Sequence, residues 1–160
     1  MNINQLKEKI KKLKRKKFKI GLCHGVFDVL HSGHILHFNE AKEKCDFLIV
    51  SITADRFVNK GPNRPFAKNV ERLKILSSIK KIDFLFLNDD WTPIKLIKSI
   101  KPHFYFKGLD FKEKNVDVTK NLIKEKNAIR SVGGKFIITK SKLLSSSKII
   151  NNQLGDINKD

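Results

Sequence analysis

Apolar residues in this chain gather into short dense runs, separated by stretches in which they recur every three or four positions. The runs lie at 18–23 (FKIGLC), 46–53 (DFLIVSIT), 82–87 (IDFLFL), 103–108 (HFYFKG) and 135–139 (KFIIT). Each has the length of a strand and is apolar almost throughout, which predicts strands buried on both faces. Helical spacing fills the intervals: Ile3, Leu6, Ile10 and Leu13 along 3–17, then Ile35, Phe38 and Ala41 within 34–44, then Val70, Leu73, Leu76 and Ile79. A further helix is expected from Pro93 to Lys101-Pro102, and another over 118–131, closed by Gly133-Gly134. Ser145-Ser146-Ser147 reads as the start of a last short helix, and 153–160 as a frayed tail.

Strands alternating with helices predict an α/β fold. The expectation is a single doubly wound, Rossmann-like domain over 18–152 with a five-stranded parallel sheet, preceded by an amphipathic helix in residues 1–17. Ligands of such sheets collect at the carboxyl ends of the strands. That rule directs attention to 24–34, to the Gly- and Pro-punctuated loop 54–68, and to the turn at 107–110.

Composition narrows the picture. A length of 160 residues suits one domain, and 40% hydrophobic residues with twelve phenylalanines suit a packed core. No apolar run approaches the ~20 residues that span a bilayer, and the opening MNINQLKEKIKKLKRKKFK lacks an apolar leader, so the expectation is a cytoplasmic protein with no membrane partner. Two cysteines, Cys23 and Cys45, fit a reducing compartment without a disulfide framework.

The formal net charge of +18 raises a nucleic-acid-binding module as a rival reading. Arginine occurs only at positions 15, 56, 64, 72 and 130, however, and base-reading surfaces favour its planar fork over lysine. The preferred reading is solvated lysine faces and no nucleic-acid partner. A smaller polyanion, such as a nucleoside triphosphate, profits from the same field.

The chemistry concentrates in CHGVFDVLHSGHILHF, residues 23–38, where His31, His34 and His37 recur every three positions. Gly25 permits a tight turn after the first strand and a close approach of backbone N–H groups to a ligand. His31-Ser32-Gly33-His34 stands at an expected helix start, where free N–H groups and the helix dipole attract anions. Residues three apart share a helix face, so His31 and His34 can both donate into one anionic pocket. A three-histidine metal site is the competing reading. It lacks an HExxH pattern and a nearby carboxylate or cysteine, and His37 falls a turn deeper along the helix. Phosphate binding is the better account, with no metal ligands assigned.

Gly25-Val26-Phe27-Asp28 followed by His31-Ser32-Gly33-His34 resembles the signature of the cytidylyltransferase-like nucleotidyltransferases, whose HxGH motif holds the phosphates of a nucleotide. The likeness runs from about Lys19 to Asn151. KGPNRP (60–65), Thr92-Pro93 and KGLDF (107–111) resemble segments of bacterial heptose-1-phosphate adenylyltransferases. VERLKIL (70–76) resembles the helix that carries an arginine into the active site, and SSSKIIN (145–151) the helix start that closes over the phosphates.

The resemblance implies transfer of a nucleotidyl group from a triphosphate to a phosphorylated small-molecule acceptor, with Mg²⁺ present and pyrophosphate released. It makes His31, His34, Lys60 and Arg72 the expected catalytic residues, as phosphate donors rather than acid–base groups. Gly25, Val26, Phe27, Asp28 and Gly33, the turn residues Lys107, Gly108 and Asp110, and Ser145, Ser146 and Ser147 are the expected nucleotide contacts. Asp28 is open between fixing the turn before His31 and placing Mg²⁺, and Arg72 between clamping phosphate and pairing with Glu71 or Glu43 on the surface. ATP is favoured over CTP, because KGLDF resembles the adenylyl-transferring enzymes and Gly108 and Phe111 offer room and apolar surface for a base. The acceptor is expected to be a phosphorylated sugar or polyol and the protein a homodimer. A nucleotide sensor without turnover is a further rival, which the intact His31, His34, Lys60 and Arg72 speak against.

Overall fold

Successive residues of each strand serve opposite faces, and the buried side chains sort accordingly into two cores. Ile20, Leu22, Ile49 and Tyr105 belong to one, with Leu6, Ile10, Leu96, Ile97 and Ile129 from helices. Cys23, Leu48, Val50, Ile52 and Phe106 belong to the other, with Phe38, Ala41 and Leu76. The computed structural model describes residues 1–108 and 116–140, the side chains of 116–119 excepted.

Its elements are α1 (Ile3–Arg15), β1 (Ile20–Gly25), α2 (Ser32–Lys42), β2 (Phe47–Thr53), α3 (Asn69–Ser77), β3 (Phe84–Asn88), α4 (Ile94–Ile100), β4 (Phe104–Lys107), α5 (Val116–Ser131) and β5 (Lys135–Ile138). The five strands form one sheet in the order β3-β2-β1-β4-β5, every pair parallel. Helices α1, α4 and α5 cover one face, and α2 and α3 the other. The expected doubly wound α/β fold is the one observed.

Element boundaries differ from the sequence reading in ways the side chains explain. The first strand starts two residues later than expected and runs on to Gly25, because the polar His24 finds Ser51 on β2 at 2.7 Å and can stay in the ladder. Helix α2 begins at Ser32 with His31 as its N-cap, rather than at His34. The loop after β2 contains a 3₁₀ turn, Asp55–Phe57. Asp55 and Asn69 fix it by exchanging bonds, each side chain accepting from the other's backbone N–H at 2.9 and 3.1 Å. The short helix expected from Ser145 and the tail 153–160 lie outside the described residues.

Helix α1 starts on a reciprocal cap between Asn2 and Gln5 and buries Leu6 and Ile10. Gly21 is required where β1 meets Cys45 and Phe106, since a Cβ there would lie 2.7 and 2.8 Å from their side chains. No helix among the described residues is long and apolar enough to cross a membrane.

Candidate active site

The topological switch falls between β1 and β4, the point at which a doubly wound sheet opens a crevice at its carboxyl edge. A pocket of about 200 Å³ occupies that edge. His24, Gly25 and Val26 line it from the end of β1, and Thr53 from the end of β2. Lys60 enters from the following loop, Trp91 and Thr92 from beyond β3, Lys107 from the end of β4, and Asn121, Leu122 and Glu125 from α5.

The turn after β1 is built around Phe27, which takes a left-handed φ of 51° and is 8% exposed. This conformation lays its ring over Gly25, where a Cβ would meet ring atoms at 3.0–3.3 Å. The same ring meets His34 edge-on, with centroids 5.3 Å apart, and packs on Phe38 at 5.2 Å. Phe27 is therefore a buttress for the histidines. His31 and His34 stack, with centroids 3.9 Å apart. The backbone N–H of His31 donates to His34 Nδ1 at 3.4 Å, which leaves the proton of the neutral imidazole on Nε2. Burial, followed by the nearby His31, His37 and Lys60, lowers the His34 pKa to about 3. His34 is thus a neutral donor at physiological pH.

His37 faces inward. Its Nδ1 lies 2.7 Å from Thr139 Oγ1, and burial together with Lys107 lowers its pKa to about 4. None of His31, His34 and His37 lines the pocket, and His37 lies a turn deeper along α2 than the other two. Among the described residues no group of three histidines, cysteines or carboxylates is arranged to hold a metal ion.

Asp28 ties the motif to the loop that carries Lys60. Its carboxylate accepts from Arg64 Nη1 at 2.8 Å and from the Ala67 backbone N–H at 2.9 Å, with both ion-pair partners nearly enclosed. Burial by itself would raise its pKa, but the backbone N–H groups of Phe66 and Ala67 and the Arg64 guanidinium outweigh that effect and hold it below the ordinary carboxylate value. The geometry favours the turn-fixing role of Asp28.

Arg72 is not the surface residue that pairing with Glu71 or Glu43 requires. It is 1% exposed and meets neither Glu71 nor Glu43 at a surface. Its guanidinium donates to the carbonyls of Ala67 (3.0 Å), Val26 (2.5 Å) and Thr53 (2.9 Å), and to Asp55 and Asn69 at 2.7 and 2.8 Å. So many bonds to fixed partners make Arg72 a brace that holds the ends of β1 and β2 to α3. Arg72 is not part of the pocket's lining.

Of the other expected contacts, Gly25, Val26, Lys60 and Lys107 meet at the pocket, and Gly33 is buried in the first turn of α2. Gly108 directly follows β4. Asp110, Ser145, Ser146 and Ser147 lie outside the described residues. The sequence reading passed over His24, Thr53, Trp91, Asn121 and Glu125. His24 is buried, with Nδ1 2.7 Å from Ser51 Oγ and Nε2 3.4 Å from Thr53 Oγ1, and burial followed by Lys107 pushes its pKa well down. Trp91, the single tryptophan, beside Thr92-Pro93 was the available signal for the β3 side of the pocket.

Residues 22–152 match the family model described as cytidylyltransferase-like. The bifunctional protein HldE of Aliarcobacter butzleri is 34% identical over 151 residues, covering 91% of this chain and 32% of that protein. The proteins of the same name from Caulobacter vibrioides and Campylobacter fetus are 35% and 37% identical, over 78% and 82% of this chain and 25% and 27% of their own lengths. The chain therefore spans about a third or less of the curated relatives it matches. Two solved structures share the fold. A lipopolysaccharide core biosynthesis protein from Thermoplasma volcanium has a TM-score of 0.64 at 23% identity, over 79% of this chain and 99% of that one. A pantoate-beta-alanine ligase from Francisella tularensis has a TM-score of 0.61 at 22% identity, over 99% and 78%.

Proposed function

Since the chain belongs to the cytidylyltransferase-like family, we propose that it transfers a nucleotidyl group, adenylyl from ATP, to the phosphate of a phosphorylated sugar or polyol. An acceptor phosphate oxygen attacks the α-phosphorus of the triphosphate. The bond from that phosphorus to the β-bridging oxygen breaks, and pyrophosphate leaves with the electron pair. The attacking oxygen is already an anion, so no protein nucleophile or general base is needed, and the protein's contribution is position and charge neutralisation. The product is an activated NDP-linked sugar or polyol, suited to building surface polysaccharide.

One observation carries the reading. The His31–His34 helix start is locked by Phe27 and braced by Arg72 at the carboxyl edge of the sheet, with His34 offering a neutral Nε2–H close to Lys60. A neutral donor beside a lysine suits the phosphate oxygens on which charge builds as pyrophosphate departs. Asp28 is occupied by Arg64 and Ala67, and no protein cage for a cation exists among the described residues. Mg²⁺ would come as a companion of the triphosphate and would supply charge neutralisation there.

A pyrophosphate-release screen of four nucleoside triphosphates against phosphorylated sugars and polyols tests the proposal. The expected result is turnover with ATP and an ADP-linked product by mass, with kcat lowered ~10²–10³-fold in His34→Ala. A CDP-linked product would replace ATP by CTP and leave the reaction class standing. Retention of full kcat by His34→Ala would remove the donor role.

A further inference from the structure

The walls of the pocket differ in chemistry. Lys60 lines it near enough to His34 to depress the His34 pKa, although His34 itself lies outside the lining. Another wall carries a buried ion pair, Lys107 Nζ to Glu125 Oε2 at 3.1 Å, whose side chains are 4% and 7% exposed. Tyr105, fully buried on β4, donates its hydroxyl to the same Oε2 at 2.8 Å.

Both contacts to Glu125 fall on one oxygen. Oε1 accepts no hydrogen bond among the described residues, although Glu125 borders the pocket. At the cavity wall that oxygen is open to the pocket's solvent, so a ligand that displaces water there is favoured when it supplies a donor in its place. Lys107 balances its charge, so the wall tolerates a phosphorylated ligand that a bare carboxylate would repel. On the β3 side of the same pocket Trp91 is 65% exposed, its ring held edge-on against Phe57 at 5.1 Å. An exposed aromatic face and a charge-balanced acceptor together match a polyhydroxylated carbon skeleton, whose C–H groups pack on the ring while its hydroxyls donate.

We infer that Glu125 reads a hydroxyl of the acceptor's carbon skeleton, with Trp91 as the facing platform and Tyr105 as the positioning residue. This inference rests on the nucleotidyl-transfer reading and assigns the acceptor's recognition to the Lys107–Glu125 wall of the pocket, which moves Lys107 from the nucleotide, where the sequence reading put it, to the acceptor. Acceptors are then selected by hydroxyls as well as by phosphate.

Trp91 is the chain's single tryptophan and lines the pocket, so its emission reports occupancy without any turnover. Wild type, Glu125→Gln and Tyr105→Phe are titrated with mannose 1-phosphate, glycerol 3-phosphate, inorganic phosphate and ATP. In wild type a polyhydroxylated phosphate is expected to bind about tenfold or more tighter than inorganic phosphate, the selectivity of a site built to bond a hydroxyl. Glu125→Gln erases that margin and keeps ATP affinity within about twofold, which also shows that the variant is folded. Should Glu125→Gln fail to fold, Tyr105→Phe decides, because it keeps the carboxylate and loosens it: a narrowed margin supports the inference and an unchanged one overturns it. The inference also falls if no polyhydroxylated phosphate outbinds inorganic phosphate, or if the margin survives in Glu125→Gln. Binding with this pattern but no pyrophosphate release would overturn nucleotidyl transfer alone. Pyrophosphate release with the margin intact in Glu125→Gln would overturn the subsite alone.

Discussion

His24, His34 and His37 share an environment that rejects a proton, and the main cause in each case is burial, aided by a nearby lysine. The consequence for stability has a definite sign. In the unfolded chain these groups titrate near pH 6.5, whereas in the folded protein His37 titrates at about 4 and His34 at about 3. Above pH 6.5 both states are neutral and the full stability is present. Below it the unfolded chain binds protons that the folded chain refuses, so stability falls as pH drops toward the folded values. Each such group contributes up to ~1.4 kcal/mol per pH unit within that window. Urea midpoints measured at pH 7, 6 and 5 should decline steadily, and His37→Asn should flatten the decline by up to about one proton. A flat midpoint over this range would rule out buried neutral imidazoles. The sequence made the His31–Ser32–Gly33–His34 spacing legible, because three-residue periodicity and bracketing glycines are local signals. It concealed the depth of Arg72, since the partners Val26, Thr53 and Asp55 lie 17 to 46 positions away. Pairings of that range leave no periodic trace.

At the level of elements, periodicity identified every strand and helix that the described residues contain except the 3₁₀ turn at Asp55–Phe57. That turn depends on the exchange of bonds between Asp55 and Asn69, two polar residues in a stretch that reads as loop. Strand ends were the other weak point, because buried polar residues such as His24 and Asn88 stay in the ladder when nearby partners satisfy them. The pocket wall from α5 was invisible for a related reason: Glu125 sits among lysines on a helix, and only the fold turns it toward Lys107 and Tyr105. Helix α1 was legible as an amphipathic segment, and its docking against α4 explains the spacing of its apolar residues. Leu6 is wholly enclosed, so Leu6→Ala leaves a cavity and should cost ~2–5 kcal/mol. Because Leu6 shares one core cluster with Ile20, Leu96 and Tyr105, the loss should appear as a lower urea midpoint of one cooperative transition. A separate early transition, with the main one unmoved, would mean that α1 is an independent appendage.

Across the whole molecule, the net charge of +18 and the proposed polyanionic substrates pose a question of range: does the field of the entire surface draw in the triphosphate, or only the pocket's own cations? The geometry separates the two. Lys9 lies over the ring of Phe84 at the start of β3, and Lys14 donates to the Lys101 carbonyl just ahead of β4, so this part of α1 sits at the amino edge of the sheet. Lys7 and Lys11 border a cleft with Ser99, Ile100 and Lys101 at that same edge. The pocket occupies the carboxyl edge, one strand length away, roughly 13–23 Å for strands of this size. The Debye length is ~8 Å at physiological ionic strength, so charges on α1 are largely screened from the pocket. Raising KCl from about 0.05 to 0.5 M should then lower kcat/KM for ATP by roughly tenfold while kcat changes little, because screening weakens encounter rather than chemistry. Replacing Lys7, Lys11 and Lys12 together by Gln should leave kcat/KM for ATP at 0.15 M within about twofold of wild type, whereas Lys60→Ala should lower it sharply. The triple variant should also elute from a duplex-DNA column at lower salt, since non-specific retention counts every exposed lysine. If instead the triple variant lost as much ATP efficiency as Lys60→Ala, the charge on α1 would be acting on the site, and the separation between the two edges of the sheet would have no functional meaning.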